Sequence, residues 1–457
     1  MTPVPLQDVL TALTQLQDRN DGVSLARDYH EGRHRYPYAT PAFRKRYAQL
    51  IESSRLNLCR TVVASFTDLV KVKSWYGNGG AEATDLAERH GLMTPLSLAV
   101  REAWTVGDGW VLAWPGKDGQ PRAWSHRADQ VAFEPDPDDP GERAWVAKRW
   151  VQDRHGRVNV YYPDRVERWV TAGRVQETAA SAVAWPMTVT SWLPYTDDTG
   201  GDTIPHDRGT VPWAHLPLDP TVQGGHGRSV LTDVIPAQDW LNHSMHAALV
   251  NTEDWAAPIR ALMNVSDNIR IDPATGEPEA QQINYDPTKS KMFGVRGPGP
   301  LVQLDPPDSS NLLTAMDAAG AWVARIVGIP VSDIVPDLGN IPSGAALRTL
   351  ANRRTNSVRD FTALITPEVS RLLALLGVDD AYPSWRDPAP KDETEELAEA
   401  QTRADLGWSL DDNLREMGYD VDDRARITAG QAREQASIGR EALRAFRNGE
   451  DPASLGA

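Results

Sequence analysis

The longest regular pattern in the sequence runs from Ser343 to Leu376, where apolar residues recur at helical spacing. Ser343 is suited to cap the first turn of such a helix. At about 1.5 Å per residue, these 34 residues would extend about 51 Å, which is longer than a compact domain usually requires. Pro367 should kink the helix, because a proline ring clashes with the preceding turn and donates no N–H. The sequence therefore predicts one long, kinked helix.

Two shorter helical patterns precede it. The first runs from Ser229 to Ala257, with Pro236 in its first turn and Pro258 after its end. One face is apolar and consists of Ala237, Trp240, Leu241, Met245, Ala248, Leu249, Thr252, Trp255 and Ala256. The other face is mostly polar and carries Gln238, Asp239, Asn242, His243, His246 and Glu253.

The second shorter helix is predicted from Ser309 or Ser310 to Gly328, which is followed by Pro330. Small residues along it would let another helix approach closely, and they are Ala315, Ala318, Ala319 and Gly320. Between the two helices, residues 263–308 are rich in turn formers and carry almost no helical pattern.

The first 105 residues show mainly helical spacing, and the pattern changes at Trp110 to short alternating segments typical of β-strands. Turn residues separate these segments, so an antiparallel meander is predicted. The segments are Trp110–Trp114, Ala144–Val151, Val158–Tyr162 and Val166–Val170. The tail 381–457 carries 17 acidic and 10 basic residues in short helical patterns, with an end that we expect to fray. Helices and strands thus occupy separate stretches, which indicates an α+β fold.

Charge limits the classes of partner. With 47 basic and 63 acidic residues the formal charge is −16, which argues against a protein that attracts nucleic acid over its whole surface. Basic and aromatic clusters at Arg33–Tyr38 and Arg44–Arg46 fit either contact with phosphate or an acidic partner, or a solvated loop and helix face. No membrane segment is predicted, because no run of 18 uncharged apolar residues occurs. The single cysteine, Cys59, excludes an internal disulfide.

No motif indicates catalysis. The run Gly224–Ser229 lacks the spacing of phosphate-binding loops and is interpreted as the approach to a helix. His243 and His246 are helical neighbours with no cysteine nearby, which favours solvated or interface histidines over zinc ligands. We therefore predict no enzyme, no catalytic residue, no metal and no cofactor. The alternative is a metal-dependent nuclease or hydrolase that uses the carboxylates of Asp136–Asp139 or Asp197–Asp198.

Two stretches resemble a known family. Gly227–Asn242 (GRSVLTDVIPAQDWLN), followed by Glu253–Arg260 (EDWAAPIR), is similar to the conserved helix of tailed-bacteriophage portal proteins of the SPP1-like family. Ile326–Pro330, followed by Asn340–Leu347, resembles that family's approach to its tunnel loop and long helix. The order of elements agrees over roughly residues 30–430, while the closely similar motifs cover only about 60 residues.

The resemblance implies a portal-protein fold assembled as a ring, typically of twelve subunits, at one capsid vertex of a virion. Double-stranded DNA would pass through the ring during packaging and ejection. The implied partners are the large terminase subunit, the major capsid and scaffolding proteins, and later the head-completion or adaptor proteins, with assembly in the host cytoplasm. Another oligomeric capsid component is a further alternative.

The resemblance also implies a role for each segment. These are the wing (1–227), a stem helix (228–262), a small clip (263–308), a second stem helix (309–330), the tunnel loop (331–342), the long wing helix (343–380), and the helical crown with the C-terminal tail (381–457).

Site residues follow from these implied roles. The residues that would face DNA in the tunnel loop are Asp333, Ile334, Pro336, Asp337, Leu338 and Asn340. Those that would touch either the DNA backbone or a neighbouring subunit are Arg348, Arg353, Arg354 and Arg359. Motor and adaptor docking at the clip would use Lys289, Lys291 and Arg296. Packing of the stem would use Trp240, Trp255, Ala315, Ala319 and Trp322. The loop lacks Lys and Arg, which suits transport because tight phosphate binding would stall the DNA.

Overall fold

The computed structural model describes residues 4–36, 41, 45, 47–48, 55–89, 91–177, 183–196, 201–221, 225–255, 260–263, 269–271, 278–280, 292–295, 302–303, 310–334, 344–389, 393–417, 419, 423–433, 436 and 440. The chain divides into two compact units, each built from separate parts of the sequence. Unit 1 comprises residues 1–27, 62–232 and 340–457, and unit 2 comprises residues 28–61 and 233–339.

Both helices and strands contribute to the fold, which is α+β. The helices with defined bounds are α1 (Val4–His30), α2 (Leu58–Thr67), α3 (Gly80–Arg89), α4 (Met93–Val106), α5 (Ile235–Trp255), α6 (Ser310–Val327), α7 (Gly344–Leu375), α8 (Glu393–Asp405) and α9 (Leu410–Glu416). The strands are β1 (Val72–Tyr76), β2 (Asp108–Pro115), β3 (Pro121–His126), β4 (Val131–Pro135), β5 (Arg143–Gln152), β6 (His155–Tyr161), β7 (Arg165–Thr171), β8 (Gln176–Glu177), β9 (Val183–Ala184), β10 (Trp192–Pro194), β11 (Thr203–Pro205), β12 (Trp213–Pro217), β13 (Arg260–Met263), β14 (Ile269–Ile271), β15 (Pro278–Ala280), β16 (Met292–Val295), β17 (Val302–Gln303) and β18 (Tyr382–Trp385).

The larger sheet of unit 1 is antiparallel and has the order β10-β7-β6-β5-β4, with β11 also paired to β7. Helix α1 packs on one face of it, because its apolar residues recur every three or four positions and share one side of the helix. The buried helix residues are Leu6, Val9, Leu13 and Leu16. The sheet residues buried in the same cluster alternate along the strands and include Trp145, Ala147, Val158, Val160 and Trp169.

The opposite face of this sheet packs on a smaller sheet with the order β12-β2-β3. Phe133, Val146 and Tyr161 lie on this face, because successive side chains of a strand point to opposite sides. Their partners are tryptophans of the smaller sheet. The ring of Trp110 lies 5.4 Å from that of Phe133, and the ring of Trp213 lies 5.4 Å from that of Tyr161. Unit 1 therefore contains a helix, a sheet and a second sheet in successive layers.

Helix α7 closes the outer edge of the smaller sheet. Strand β12 is an edge strand, and Glu368 of α7 accepts the backbone N–H of His215 through Oε2 at 3.0 Å. Glu368 also pairs with the buried Arg143 at 2.9 Å. Aromatic contacts hold the same helix further along, since Trp104 of α4 stacks on Phe66 at 4.3 Å and meets Phe361 edge-on at 5.4 Å. A covered strand edge cannot recruit another chain.

In unit 2, helices α5 and α6 pack against each other. The segment between them contains short strands, in a sheet of order β16-β13-β17 and a separate β14-β15 pair. None of the helices in the described residues is long and apolar enough to cross a membrane.

The helices predicted to end at Gly328 and Leu376 are confirmed as α6 and α7. Two expectations are corrected. Ser229 opens only a 3₁₀ turn, because its Oγ accepts the N–H of Leu231 and donates to the carbonyl of Thr105, and α5 begins six residues later at Ile235. The segment at Trp110 is not part of the meander. It belongs to β2, which pairs with β3 and with the distant β12 in the smaller sheet, whereas the other three segments lie in β5, β6 and β7 of the larger sheet.

Candidate assembly surface and buried polar sites

Helix α6 has an inner face that is buried within unit 2. The buried residues are Ala319, Gly320, Val323, Ala324 and Val327. Three of them are small, which lets α5 approach the backbone of α6 closely. The predicted stripe of small residues differs in burial along its length, since Ala319 and Gly320 are buried while Ala315 and Ala318 are only partly buried.

The outer face of α6 consists of Ala315, Ala318, Trp322 and Ile326, spaced three or four residues apart. Trp322 is 51% exposed, and the guanidinium of Arg325 lies 5.7 Å from the centre of its ring. Ile326 is exposed as well, while the two alanines are partly buried. Helix α6 thus has an exposed apolar strip that lies beside its buried face.

The polar face of α5 is buried in part. Gln238 and Asn242 are fully buried, whereas Trp240 between them is 37% exposed. Gln238 Oε1 accepts the N–H of Leu58 at 2.8 Å, and its Nε2 donates to the carbonyl of Leu56 at 2.8 Å. Gln238 therefore caps the first residue of α2. The only feature of the sequence that could have indicated this burial is that Gln238 and Asn242 are uncharged amides one helical turn apart.

A chain of hydrogen bonds continues from Asn242. Its amide lies 2.8 Å from Nδ1 of His34, whose Nε2 lies 3.1 Å from the carbonyl of Tyr29. Burial lowers the pKa of His34, which keeps the ring neutral. The Tyr29 hydroxyl donates to Asp239, and burial raises the pKa of both groups. The segment 29–34 and helix α5 are thereby joined through polar side chains rather than through an apolar seam.

Unit 1 contains a buried carboxylate cluster around Asp108. His215 Nε2 lies 2.7 Å from Oδ1, and His226 Nδ1 lies 3.0 Å from Oδ2. The N–H of Gly227 donates to Oδ1 at 2.8 Å, and Arg19 pairs with Oδ2. Burial alone would raise the pKa of Asp108, but the hydrogen bonds from the two histidines and the charge of Arg19 hold it well below its ordinary range.

The ligand atoms of Asp108, His215 and His226 lie within 4.8 Å of one another, as in a metal site. The surroundings do not suit a cation, however. A carboxylate has about four acceptor positions, and four donors already occupy them, one being the guanidinium of Arg19. The arrangement is therefore a saturated buried anion. No local sequence pattern marks this cluster, because 107 and 118 positions separate Asp108 from the two histidines.

Two glycine backbones meet beside this cluster. A Cβ on Gly227 would lie 2.1 Å from the carbonyl oxygen of Gly107, and a Cβ on Gly107 would lie 2.3 Å from that of Gly227. Gly107 also has a φ of 105°, which other residues rarely adopt. The glycine run before α5 therefore has a packing role in addition to leading toward a helix.

No protein-family model matches the chain, and no curated protein matches it. Solved structures with similar chains include the virion of a native gene transfer agent particle, at a TM-score of 0.44 and 16% identity over 88% of this chain and 94% of that one. The neck of the empty particle, computed with C6 symmetry, has a TM-score of 0.43 and 16% identity over 79% of this chain and 90% of that one. The neck of the native particle, computed with C12 symmetry, has a TM-score of 0.40 and 15% identity over 87% of this chain and 99% of that one. These values are too low to establish a shared fold, so the proposal below rests on the chain's own residues.

Only part of the predicted tunnel loop lies within the described residues. Val331–Asp333 form a 3₁₀ turn after α6, in which Asp333 is exposed, and Ile334 follows it. The predicted loop and clip residues outside the described part are Pro336, Asp337, Leu338, Asn340, Lys289, Lys291 and Arg296. The side chains of Trp255 and Arg348 also lie outside it.

The remaining arginines of the long helix differ in environment. Arg353 is exposed, Arg354 is partly buried, and Arg359 pairs with Asp387 of the same chain at 2.8 Å. A pair within the chain is a use that the sequence analysis did not consider.

The carboxylates of the enzyme alternative are exposed or outside the described residues. Asp136 and Asp139 accept backbone N–H groups of Asp138 and Gly141 in a solvated loop. Asp197–Asp198 are not described. The helical pair considered as zinc ligands is split between environments, since His243 is exposed and His246 is buried.

Proposed function

We propose that the chain is a portal subunit, which assembles into a ring at one capsid vertex and forms the channel through which double-stranded DNA is packaged and ejected. The observation that carries the proposal is the outer face of α6. A helix whose apolar surface extends beyond its buried face covers the exposed strip only by packing against another helix or chain.

A ring supplies such a partner to every subunit. Each copy would present the outer face of α6 to a different surface of its neighbour, which is the head-to-tail contact that closes a cyclic assembly. Trp322 would be the central anchor, because aromatic side chains contribute most of the binding energy of many interfaces. Ala315 and Ala318 beside it leave room for the neighbouring backbone.

Within the ring, α5 and α6 would form the stem, strands β13–β17 the clip, residues 331–342 the tunnel loop and α7 the long wing helix, with 381–457 as the crown. The clip would dock the large terminase subunit during packaging and the head-completion or adaptor proteins afterwards. The subunit would have no catalytic activity of its own, and hydrolysis of ATP would belong to the motor. Major capsid and scaffolding proteins would contact the wing.

The test is the mass of the purified protein. Mass photometry should give particles near twelve times 50.3 kDa, and negative-stain images should show a central channel. Trp322→Arg with Ala318→Arg should shift the distribution to lower mass. Leu98→Arg is the matched control, since Leu98 is 46% exposed on α4 of unit 1 and should not affect assembly.

A wild-type chain that remains monomeric at micromolar concentration would overturn the proposal. Cleavage of plasmid DNA by the purified protein with magnesium would favour the nuclease alternative. A closed shell without a channel would favour another capsid component.

A further inference from the structure

The charge of the chain is distributed unevenly. Between residues 33 and 60 there are seven basic residues and a single acidic one, Glu52. This stretch therefore carries +6 within a chain whose total is −16, so the remainder carries −22. The basic residues are Arg33, Arg35, Arg44, Lys45, Arg46, Arg55 and Arg60.

The structure fixes the backbone of this stretch near its end, at residues 56–58. Gln238 binds the main chain of Leu56 and Leu58, as described above, and Asn242 Oδ1 accepts the N–H of Leu56 at 3.3 Å. Asn57 Nδ2 donates to the carbonyl of His30 at 2.9 Å, which ties the residues before α2 to the end of α1. All of these contacts lie within unit 2. Arg55 and Arg60 therefore flank a stretch of main chain that is held by hydrogen bonds.

One arginine is neutralised locally. Arg33 pairs with Asp28 at 2.7 Å and also with Glu31. Arg35, Arg55 and Arg60 are exposed, and no carboxylate of the described residues lies within salt-bridge distance of them.

Arg55 and Arg35 have defined surroundings. The guanidinium of Arg55 lies 5.9 Å from the centre of the Tyr36 ring, and its Nη1 donates to the carbonyl of Gly32 at 3.2 Å. The charge of Arg35 acts on the carboxylate of Asp239, which is half-buried and already accepts a hydrogen bond from the Tyr29 hydroxyl. Lys45 is exposed as well. Among the described residues, none of these four exposed cations has a full acidic partner.

We propose that the exposed cations of this segment that the structure describes, Arg35, Lys45, Arg55 and Arg60, bind the phosphate backbone of nucleic acid. Arginine forms two parallel hydrogen bonds to phosphate oxygens, and clustered cations gain further free energy by releasing the counterions of the polyanion. An acidic chain needs such a local patch to bind DNA at all, because its net charge repels phosphate. The inference does not depend on ring assembly, since the patch belongs to a single chain.

The probe is a fluorescently labelled mixed-sequence duplex, titrated with the full chain and followed by anisotropy. Four phosphate contacts would give a slope of about −3.6 in log K against log salt, so affinity should fall about 10²-fold between about 50 and 200 mM salt. The variant Arg35→Glu/Arg55→Glu/Arg60→Glu should bind at least about tenfold more weakly, with a slope closer to about −0.9.

A charge-matched control separates the patch from net charge. Arg122→Glu/Arg127→Glu/Arg426→Glu changes the total by the same amount at exposed positions outside residues 33–60, and it should bind like the wild type. Circular dichroism and mass photometry on both variants report folding and assembly independently, so loss of DNA binding with assembly retained leaves the proposed function intact.

Equal binding by the two triple variants, or no binding by the wild type, would overturn the inference. Competition by polyglutamate as effective as that by unlabelled duplex would instead assign the segment to an acidic protein, and would overturn it equally.

Discussion

Gln238 accepts the backbone N–H of Leu58 at 2.8 Å from a position on α5 that is fully buried. The same amide donates to the carbonyl of Leu56, so one side chain satisfies two main-chain groups at the start of α2. Main-chain groups that lose contact with water need partners, and here a residue 180 positions away supplies one to the N–H of Leu58.

Replacing Gln238 with leucine should therefore destabilise unit 2 by about 1–3 kcal/mol, because it leaves two partly buried main-chain groups unsatisfied. Chemical denaturation followed by fluorescence measures the loss. Thr252→Val on the same helix is the control, since the hydroxyl of this exposed residue bonds only within α5, and its effect should stay within about 0.5 kcal/mol. Equal stability of the two variants would contradict the capping role.

Gly227→Ala should destabilise unit 1 by about 1–3 kcal/mol or more, because the added methyl would overlap the carbonyl of Gly107 and force the backbones apart. Gly22→Ala is a control of opposite sign. Gly22 lies within α1 with open space around its Cβ position, and alanine should raise the free energy of unfolding by up to about 1 kcal/mol. Thermal unfolding of both variants measures these changes. An unchanged free energy of unfolding in Gly227→Ala would show that the two backbones separate without cost.

Asp108→Asn should cost about 3–5 kcal/mol, because it removes the negative charge that compensates the partly buried Arg19. The saturated carboxylate also predicts that neither zinc nor a chelator changes the melting temperature of the wild type. A rise in melting temperature on adding zinc, lost in Asp108→Asn, would show that the cluster binds metal after all.

Acidification should destabilise unit 1 through His126. Burial, with a smaller contribution from Lys148, lowers the pKa of its ring from 6.5 to about 3. The folded state therefore keeps the ring neutral while the unfolded state binds a proton, so the free energy of unfolding falls as the pH drops from 6.5 toward about 3. His126→Gln should remove up to about 1.4 kcal/mol per pH unit of this slope, measured by denaturation at a series of pH values. The same substitution at exposed His243 is the control, and an unchanged slope in His126→Gln would contradict the prediction.

If DNA passes the tunnel loop, Asp333→Lys with Asp337→Lys should shorten the packaged DNA, because lysines there would bind phosphate and slow transport. The measurement is the length of nuclease-protected DNA in particles carrying the variant subunit. Asp138→Lys with Asp207→Lys makes the same charge change at exposed positions of unit 1 and should leave the length unaltered. Full-length DNA in the loop variant would remove the loop from the proposed path.

Local patterns were sufficient where a segment's structure depends on its own sequence. Helix α6 has a serine at its start and a glycine after its end, and α7 has an uninterrupted apolar period, so both were predicted nearly to the residue. Strands β5, β6 and β7 were predicted because short turns join them.

Long-range contacts account for what the sequence did not predict. Hydrophobic periodicity ranks Gln238 as a surface residue, although its partners are main-chain groups that no periodicity records. The Asp108 cluster joins three distant segments, and only the folded sheet brings them together. For the candidate surface, the residues of α6 were identified, but dividing them into an inner and an outer face required the position of α5.

The ion pair between Arg143 and Glu368 has a consequence for synthesis of the chain. A ribosome that has made residues 1–232 has completed both layered sheets except for the carboxylate that neutralises Arg143 and accepts the N–H of His215. That carboxylate emerges only after the whole 233–339 segment of unit 2 has been translated. Unit 1 is thus left with an uncompensated arginine and an uncovered strand edge while unit 2 is being made, and the nascent chain is most exposed to mispairing during that interval.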